Sequence, residues 1–395
     1  MGSPQLLVLS PANPLRSYSG VKYLCDSLSA RGLTLELWAN IPSSMLSETT
    51  DWGYQVKSFW SGVIGKIPRI RYYSAWARAF WLAYRGPRVI ITVDTGFIRE
   101  MALAKKLRPE MVLIQYCPEL FTPEDVPHLR APLERYARYA DVPDIVIDVE
   151  PNRATYRQNR YQLTKDVLVI PNTLPRSEMP ARAVTGTLAR LAGRELPSNR
   201  PILLYIGRGS LDRDWDLIST ALAGMDRKPF FLAFCYGDVN HIAALREKLH
   251  GLLRSEFFHI ADAVPRQALL GCIHEADAGL VYYRPSHSIN HRYAAPTKLY
   301  EYLAAGLPVI ASNNPGIVEL VDDHGLGVCV ENESPEALSS AIEGLLFDRS
   351  RLDKMRRNCL DAFQNELCYE VASRGTIDQI TAICQGLGAG MRRTQ

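Results

Sequence analysis

Paired cysteines are missing from this sequence. Its eight cysteines are scattered singly over 395 residues, without a CxxC spacing or a cluster with histidine. Disulfide frameworks and structural zinc sites both depend on cysteines at short, regular spacings. The sequence therefore predicts free, buried thiols in a reducing compartment and no metal centre.

Long apolar runs and strong net charge are missing as well. No run approaches the roughly 18 apolar residues of a membrane-spanning helix, and the N-terminal MGSPQLLVLS has no basic region followed by a long apolar one. We therefore expect a cytoplasmic protein without a signal peptide or a membrane span. The net charge of +3 is too small to indicate a nucleic-acid partner.

The GxGxxG fingerprint of dinucleotide binding is absent from both halves of the chain. The first predicted strand is followed by SPANPLRSYSG, and the first strand of the second half runs into GRGSLDRD. Neither loop has glycines at the spacing that lets backbone approach a dinucleotide pyrophosphate. A dinucleotide-dependent dehydrogenase is therefore disfavoured.

The sequence does contain a regular alternation of short apolar runs with amphipathic helical stretches. Its hydrophobic fraction of 47% is that of a globular protein, and 395 residues exceed what one core usually holds. Nearly continuous apolar strands indicate a parallel sheet covered by helices on both faces. We predict an α/β protein of two doubly wound, Rossmann-like domains. The predicted strands are 5–10, 33–39, 88–93, 111–116, 144–149 and 167–171, then 201–207, 229–235, 256–260, 278–283, 308–312 and 327–330.

One polar stretch interrupts this alternation. Residues 177–200 are small, polar and punctuated by proline, which is typical of an interdomain linker. The predicted domains are therefore 1–176 and 201–365, followed by a C-terminal helix within 366–395. Ligands of doubly wound sheets bind at the carboxyl ends of the strands, so we expect the site in the cleft where two such domains face each other.

The stretch PTKLYEYLAAGLPVIAS (296–312) combines a short helix with an apolar strand. Pro296 can begin the helix, and Gly306 can end it in a left-handed conformation. Lys298 and Glu301 are three residues apart and share a face. A helix N-terminus beside a lysine attracts phosphate, and the carboxylate one turn further along can reach a ribose joined to that phosphate. The alternative is an ordinary exposed Lys–Glu pair.

This stretch resembles the donor-binding motif of GT-B glycosyltransferases of the family 4 type, in a divergent form with P-x-K-x-x-E-Y. YIGRGSLDRDWDLI (205–218) is similar to the family's phosphate-binding loop, and AVPRQALLGCIHEADAGLVYYRP (263–285) to the strand–helix–strand before the donor motif. SGVKYLCDSLSARG (19–32) resembles its first helix. The resemblance rests on the order and spacing of these segments.

The resemblance implies a role for individual positions. Glu301 would hold the donor ribose, and Lys298, Arg208 and Arg213 would hold the diphosphate. Tyr293 stands where the family has a glutamate that touches the sugar, so a retaining mechanism does not follow. The donor-binding residues implied in this way are Gly20, Arg208, Arg213, Val264, Tyr293, Thr297, Lys298 and Glu301.

The activity implied by the resemblance is sugar transfer from a nucleotide diphosphate sugar, most simply a UDP sugar, to a hydroxyl acceptor. The first domain would bind a sugar, lipid-linked or small-molecule acceptor, and the C-terminal helix would pack back on it. Assembly of cell-surface polysaccharide or glycolipid is the expected role, with natural-product glycosylation as an alternative. A sugar-nucleotide epimerase and a non-catalytic partner subunit also remain open, the latter because of Tyr293.

Two carboxylates are candidates for the catalytic base of an inverting reaction. Asp94 in ITVDTG and Glu119 in QYCPELF each follow an apolar strand of the first half. A carboxylate buried at such a strand end can acquire a raised pKa suited to deprotonating a hydroxyl. The alternatives are a helix N-cap for Asp94 and a solvated loop position for Glu119.

DRDWD (212–216) resembles the metal-binding DxD motif of a different glycosyltransferase class. It follows a glycine turn of a second βα domain, where Arg208, Arg213 and Lys298 already supply positive charge for a departing diphosphate. We therefore expect no metal requirement, and we expect Asp214 to cap the next helix.

Acidic residues are absent between Asp51 and Asp94, whereas seven lysines and arginines and ten aromatic residues lie in 52–93. Such a composition suits peripheral contact with an anionic membrane. The alternative is a core helix with a basic rim. Single-stranded nucleic acid would also suit this composition, but nothing else in the sequence supports it.

Overall fold

The computed structural model describes residues 3–15, 19–59, 68–179, 181–210 and 214–386, with the side chains of 68–72 left out. The chain divides into two compact units. The first consists of the residues up to Asn172 together with those from Ala372, and the second is Thr173–Val371.

The first unit is built on a seven-stranded sheet in which all neighbouring strands are parallel. The strand order is β3-β2-β1-β4-β5-β6-β7, so the direction of winding reverses between β1 and β4. Leu6–Ser10 and Val89–Val93 are buried along their whole length, as expected for strands covered on both faces. The strands are β1 (Leu6–Ser10), β2 (Leu35–Ala39), β3 (Gln55–Ser58), β4 (Val89–Val93), β5 (Val112–Cys117), β6 (Ile145–Asp148) and β7 (Val167–Val169).

Helices cover this sheet and connect its strands. Ala75, Ala79 and Ala83 lie four residues apart on one helix and are buried, because they form its core-facing stripe. The helices are α1 (Ser19–Ala30), α2 (Pro68–Arg85), α3 (Ile98–Leu107), α4 (Arg130–Ala137) and α5 (Pro151–Tyr161), with 3₁₀ turns at Ser43–Thr49 and Pro127–Leu129.

The second unit repeats the same plan with a six-stranded parallel sheet of order β10-β9-β8-β11-β12-β13. Its strands are β8 (Ile202–Arg208), β9 (Phe230–Tyr236), β10 (Phe258–Asp262), β11 (Ala278–Val281), β12 (Val309–Ala311) and β13 (Gly327–Cys329). Its helices are α6 (Thr187–Ala192), α7 (Trp215–Gly224), α8 (Val239–Leu252), α9 (Arg266–Leu270), α10 (Ile289–Arg292), α11 (Thr297–Ala304), α12 (Pro315–His324), α13 (Pro335–Leu346), α14 (Arg349–Ala362) and α15 (Tyr369–Ala372), with 3₁₀ turns at Arg176–Glu178 and Ile273–Glu275 and a π-helical turn at Phe363–Leu367.

The last described helix, α16 (Arg374–Cys384), belongs to the first unit. The Thr376 hydroxyl donates a 3.0 Å hydrogen bond to the carbonyl oxygen of Val169 at the end of β7. Asp378 forms an ion pair with Arg31 just after α1. These contacts attach α16 to the sheet and to the first helix of that unit.

The predicted fold class is confirmed, and each of the twelve predicted strands overlaps an observed one. Strand β3 was not predicted, because QVKS lies at a sheet edge and has no apolar run. Residues 177–200 differ from the predicted linker. They contain α6, and Leu188 and Ala192 pack in the core of the second unit.

The cysteines are free thiols, and six of the eight are buried. None of the described helices combines the length and the apolar character that a bilayer span requires.

Candidate functional site

Helix α11 carries the predicted Lys298 and Glu301, and its N-terminus is open. Its N-cap residue is Pro296, which makes no side-chain capping hydrogen bond, and its first turn contains no acidic residue. The first N–H groups of such a helix and its dipole favour an anion at this end. Gly306 ends the helix region with φ of 73°, as the sequence predicts.

A buried tyrosine fixes α11 against the sheet. The N–H of Ile206 in β8 donates a 2.9 Å hydrogen bond to the hydroxyl oxygen of Tyr302, whose side chain is fully buried. The ring lies against Gly279 of β11, where any side chain would collide with it. Through Tyr302, α11 is therefore fixed in position against β8 and β11.

The ammonium of Lys298 lies over two aromatic rings. Its Nζ is 4.2 Å from the ring centroid of Tyr205 and 5.1 Å from that of Tyr283. A Cβ on Gly207, at the end of β8, would lie 3.1 Å from the same Nζ, so glycine leaves the space that the lysine occupies. Cation–π contacts of this kind contribute roughly 0.5–2 kcal/mol each. They hold the positive charge at the carboxyl end of β8.

Glu301 is buried rather than exposed, with 8% of its surface accessible. Its Oε1 accepts a 2.6 Å hydrogen bond from Nε of Arg266, the first residue of α9. A second nitrogen of Arg266 lies 3.2 Å from Oε2 of Glu178. The ordinary exposed Lys–Glu pair is therefore not what the structure contains. Arg266 was not predicted as a site residue, because it lies 35 residues before Glu301 and no local pattern links the two.

Three further predicted donor-binding residues lie on the same unit. Arg208 is the exposed last residue of β8, Thr297 is the first residue of α11, and Val264 follows β10 and packs at the margin of the core. Arg213 lies outside the described residues.

Tyr293 ends α10, in a loop that polar contacts hold firmly. The side-chain amide of Asn314 donates hydrogen bonds to the carbonyl oxygens of Tyr283 (3.1 Å) and His291 (2.6 Å). The ring of His291 packs at 5.5 Å on Tyr283 and at 4.8 Å on His287. These contacts hold the loop that precedes α11 in one conformation. The loop continues from Tyr283, whose ring lies beneath the ammonium of Lys298.

Asp214 occupies the N-cap position of α7 but does not cap it, contrary to the prediction. Its backbone is left-handed with φ of 57°, and its side chain makes no capping bond. Its carboxylate instead accepts hydrogen bonds from the Arg284 N–H (3.0 Å) and Nε (2.5 Å). The nearby Asp216 pairs with Lys248. These two carboxylates are therefore engaged with separate cations, and Asp212 is outside the described residues.

Asp94 and Glu119 come together in the first unit. Asp94 follows β4 with a left-handed backbone (φ 53°) and is 7% exposed. Its Oδ1 accepts a 3.3 Å hydrogen bond from the Glu119 N–H. The alternative of a helix N-cap for Asp94 is wrong, because α3 begins at Ile98 with Phe97 as its N-cap.

Gly20 lies in the first turn of α1, beside the same strand ends. A Cβ at this position would lie 2.5 Å from the hydroxyl oxygen of Tyr116, so the glycine is needed for packing within the first unit. Burial raises the pKa of Tyr116, and the charges of Asp94 and Asp148 add to that effect.

A buried ion cluster holds the loop that carries Glu119. Asp148, fully buried at the end of β6, lies 3.1 Å from Arg153 and 2.6 Å from Arg157. Nη2 of Arg157 donates a 3.1 Å hydrogen bond to the carbonyl oxygen of Glu119. Burial is the largest single effect on Arg157 and lowers its pKa, but the charge and hydrogen bond of Asp148, together with Cys117 and Tyr136, outweigh it and raise the pKa. Glu150 caps α5 by accepting two of its first N–H groups.

Residues 191–361 match the family described as glycosyl transferases group 1. Among solved structures, sucrose-phosphate synthase (tll1590) from Thermosynechococcus elongatus superposes with a TM-score of 0.71 at 18% identity, covering 98% of this chain and 99% of the other. Anabaena Alr3699/HepE, solved with UDP and glucose, gives a TM-score of 0.72 at 15% identity, with 98% and 100% covered.

A third structure is WaaG, a glycosyltransferase involved in lipopolysaccharide biosynthesis. It gives a TM-score of 0.64 at 15% identity, with 96% of this chain and 100% of that chain covered. No curated protein sequence matches the chain significantly. The two parallel-sheet units and the superposition along the whole chain show the GT-B fold, and residues 191–361 are similar to the group 1 glycosyl transferases.

Proposed function

We propose that this enzyme transfers a sugar from a nucleotide diphosphate sugar, most simply a UDP sugar, to a hydroxyl group of an acceptor. The observation that carries the proposal is the open N-terminus of α11 with Lys298 beside it and the buried carboxylate of Glu301 one turn further along. Alr3699/HepE, solved with UDP and with UDP-glucose, supports the choice of nucleotide. The match of PTKLYEYLAAGLPVIAS to the family 4 donor motif supports the same assignment.

In this proposal the donor is held by its ribose and its diphosphate. The two oxygens of Glu301 accept hydrogen bonds from ribose hydroxyls. Lys298, the first N–H groups of α11 and Arg208 stabilise the negative charge that develops on the diphosphate as it leaves. Tyr293 and Val264 contact the sugar and the base, and Arg213 adds a further cation. These cations supply the charge that a divalent metal supplies elsewhere, so activity is expected to persist in EDTA.

The first unit provides the acceptor site and the base. Asp94 is the better placed of the two candidate carboxylates, because it is buried directly at the end of β4. A base that removes the acceptor proton leads to inversion at the sugar carbon. Exchange of Asp94 for Asn should abolish transfer while leaving UDP affinity unchanged.

Polysaccharide or glycolipid assembly at the inner membrane face is the proposed setting, which the likeness to WaaG supports. Helix α2 turns alanines to the core and exposes Tyr73 (68%) and Trp81 (54%), and the Arg85 guanidinium lies 4.9 Å from the Trp81 ring centroid. Such a surface favours contact with anionic lipid.

Sedimentation with phosphatidylglycerol vesicles at low salt tests this contact. The fraction of protein that sediments with the vesicles should fall in the double variant Tyr73→Ser/Trp81→Ser. It should not fall in Leu107→Ser, a control at another exposed apolar residue. Wild type that stays in the supernatant would remove membrane contact from the proposal.

Calorimetric titration with UDP tests the donor assignment. Wild type should bind in the micromolar range, and both Lys298→Ala and Glu301→Ala should bind at least about tenfold more weakly, or about 1.4 kcal/mol. Lys354→Ala, an exposed lysine on α14, is the matched control and should bind as wild type does. UDP binding that is unchanged in both site variants would refute the assignment, and GDP and dTDP would then be tested.

A further inference from the structure

A cavity of about 300 Å³ lies in the first unit, at a position where doubly wound sheets bind ligands. Its walls include Pro11 after β1, Asn40 after β2, and residues 95–100 after β4. Strands β1 and β4 are the neighbours between which the winding of this sheet reverses. The crevice outside the carboxyl ends of strands at such a reversal is the usual ligand site of the fold.

The body of this cavity is apolar and largely aromatic. Its walls include four aromatic side chains: Trp76 of α2, Phe97 before α3, Tyr136 of α4, and Tyr139 just past the end of α4. Tyr136 and Phe97 are almost completely buried, whereas 38% of Trp76 is exposed. The two partly exposed rings, those of Trp76 and Tyr139, favour a flat, cyclic ligand, because stacked rings contribute beyond the area that they bury. The volume is at the lower end of small-molecule sites, which suits one or two rings.

Positive charge is concentrated on one side of the cavity. Arg99 and Arg135 line it, with Glu100 as the only acidic residue among its walls in the described part of the chain. The N-terminus of α3 opens at the same side, where the N-cap residue Phe97 makes no side-chain capping bond. Two guanidinium groups and the positive end of a ten-residue helix favour a negatively charged group there.

Glu100 opposes this positive charge with a partly buried carboxylate. Burial raises the pKa of Glu100, while a hydrogen bond from its own backbone and the charges of Arg99 and Arg135 oppose that effect. Among the described residues, the charged side chains of the cavity wall are therefore two arginines and one glutamate.

A neutral polar group completes the lining. Asn40 is 8% exposed, and its Nδ2 donates a 2.6 Å hydrogen bond to the carbonyl oxygen of Pro11. Its Oδ1 is buried and has no hydrogen-bond partner within the described residues. Leaving a buried acceptor without a hydrogen bond is unfavourable, so a ligand that donates a hydrogen bond to it is favoured.

From these three features we infer that the cavity binds the acceptor, and that the acceptor is a small hydroxylated ring compound carrying an anionic group. Its rings stack against Trp76 and Tyr139, a hydroxyl donates to Oδ1 of Asn40, and its anionic group meets Arg99, Arg135 and the α3 N-terminus. This inference rests on the proposed sugar transfer, specifies the chemical class of the acceptor, and favours natural-product glycosylation over polysaccharide or glycolipid assembly.

The probe for this site is 6-hydroxy-2-naphthoate, which is fluorescent and carries a hydroxyl and a carboxylate on two fused rings. The full-length protein should bind it saturably. Arg99→Gln and Arg135→Gln should each weaken binding at least fivefold, whereas Arg138→Gln, just past the end of α4 and not in the cavity wall, should leave it unchanged. Both wall arginines are exposed, so their loss should not prevent folding.

Two analogues separate the polar contacts. 2-Naphthol lacks the carboxylate and should be insensitive to Arg99→Gln and Arg135→Gln. 2-Naphthoate lacks the hydroxyl and should bind wild type more weakly than the probe, and Asn40→Leu should remove that difference. If the leucine variant does not fold, Asn40→Asp takes its place. It keeps an acceptor oxygen, so the difference in affinity between the probe and 2-naphthoate should persist.

The inference is overturned if the probe does not bind wild type, or if it binds Arg99→Gln, Arg135→Gln and Arg138→Gln equally well. UDP titration of the same samples keeps the two proposals apart. Protein that binds UDP but no naphthoate contradicts the acceptor class alone. Protein that binds naphthoate with the expected arginine dependence but no UDP supports the cavity as a ligand site and contradicts the proposed transfer.

Discussion

The guanidinium of Arg266 donates a 2.6 Å hydrogen bond from Nε to Oε1 of Glu301. The pair joins the start of α9 to the middle of α11, and its glutamate is almost completely buried. A second carboxylate, that of Glu178, lies 3.2 Å from Nη1 of the same arginine. Arg266 therefore sets the direction of a carboxylate that would otherwise be free to rotate.

Exchange of Arg266 for Gln should weaken UDP binding about fivefold, equivalent to about 1 kcal/mol for a half-exposed ion pair. The reason is loss of orientation at Glu301, so the variant should also lose part of the preference for UDP over 2′-deoxy-UDP. Calorimetry with both nucleotides measures this. Glu178→Gln removes only the outer pair and is the control. An equal loss of affinity for both nucleotides would show that Arg266 supports the fold and not the ribose contact.

Exchange of Gly207 for Ala should displace Lys298. The added Cβ would lie 2.7 Å from the Tyr205 hydroxyl oxygen and 3.1 Å from Nζ of Lys298, so one or both side chains must move. We expect UDP affinity to fall at least about fivefold, or about 1 kcal/mol. Gly344→Ala, at a helical position where a Cβ meets nothing within 4 Å, is the matched control and should keep full affinity. If Gly207→Ala bound UDP as tightly as wild type does, the diphosphate would not bind beside Lys298.

Exchange of Asp148 for Asn should destabilise the first unit by about 3–5 kcal/mol, the usual cost of leaving buried charge without its partner. Arg153 and Arg157 are both 2% exposed and would keep their charges. Urea unfolding measures the effect. Glu124→Gln removes the exposed partner of Arg160 and should change stability by much less. Equal effects of the two substitutions would contradict the role assigned to the buried cluster.

Glu100 makes stability depend on pH. Its pKa in the folded protein is raised by burial, so the folded state holds the proton more tightly than the unfolded chain does. Stability contributed by the protonated form is complete below the ordinary glutamate pKa of about 4.3 and is lost as pH rises through the raised value. Glu100→Gln should therefore melt higher than wild type near neutral pH and about equally near pH 4. A melting difference that is constant with pH would count against this assignment.

The fold could be predicted from the sequence because buried parallel strands consist of consecutive apolar residues, which are visible in the sequence. VIITV and VLIQYC are buried along their whole length, and each was predicted within one residue of its observed ends. The edge strand QVKS has no such signal, because only its last residue is buried. Residues 177–200 were misread for a related reason. Their polar composition concealed Leu188 and Ala192, which fix a short helix in the core.

The candidate site could be predicted only where its residues are neighbours in the chain. Lys298, Glu301 and Gly306 share one helical motif, so their spacing identified them. Arg266 and Asn40 act across distances in sequence that no local pattern encodes. The ion pair of Asp214 with Arg284 was missed in the same way, since 70 residues separate them and the capping position offered a simpler local explanation.

The attachment of α16 to β7 has a consequence for protein synthesis. Helix Arg374–Cys384 is made after the whole second unit, yet its Thr376 and Asp378 contact Val169 and Arg31 of the first. At about 5–20 residues per second, a ribosome needs roughly 10–40 s to add the intervening second unit. During that interval the surface that α16 will cover remains open on the nascent chain. The second unit, although later in sequence, can complete its fold first.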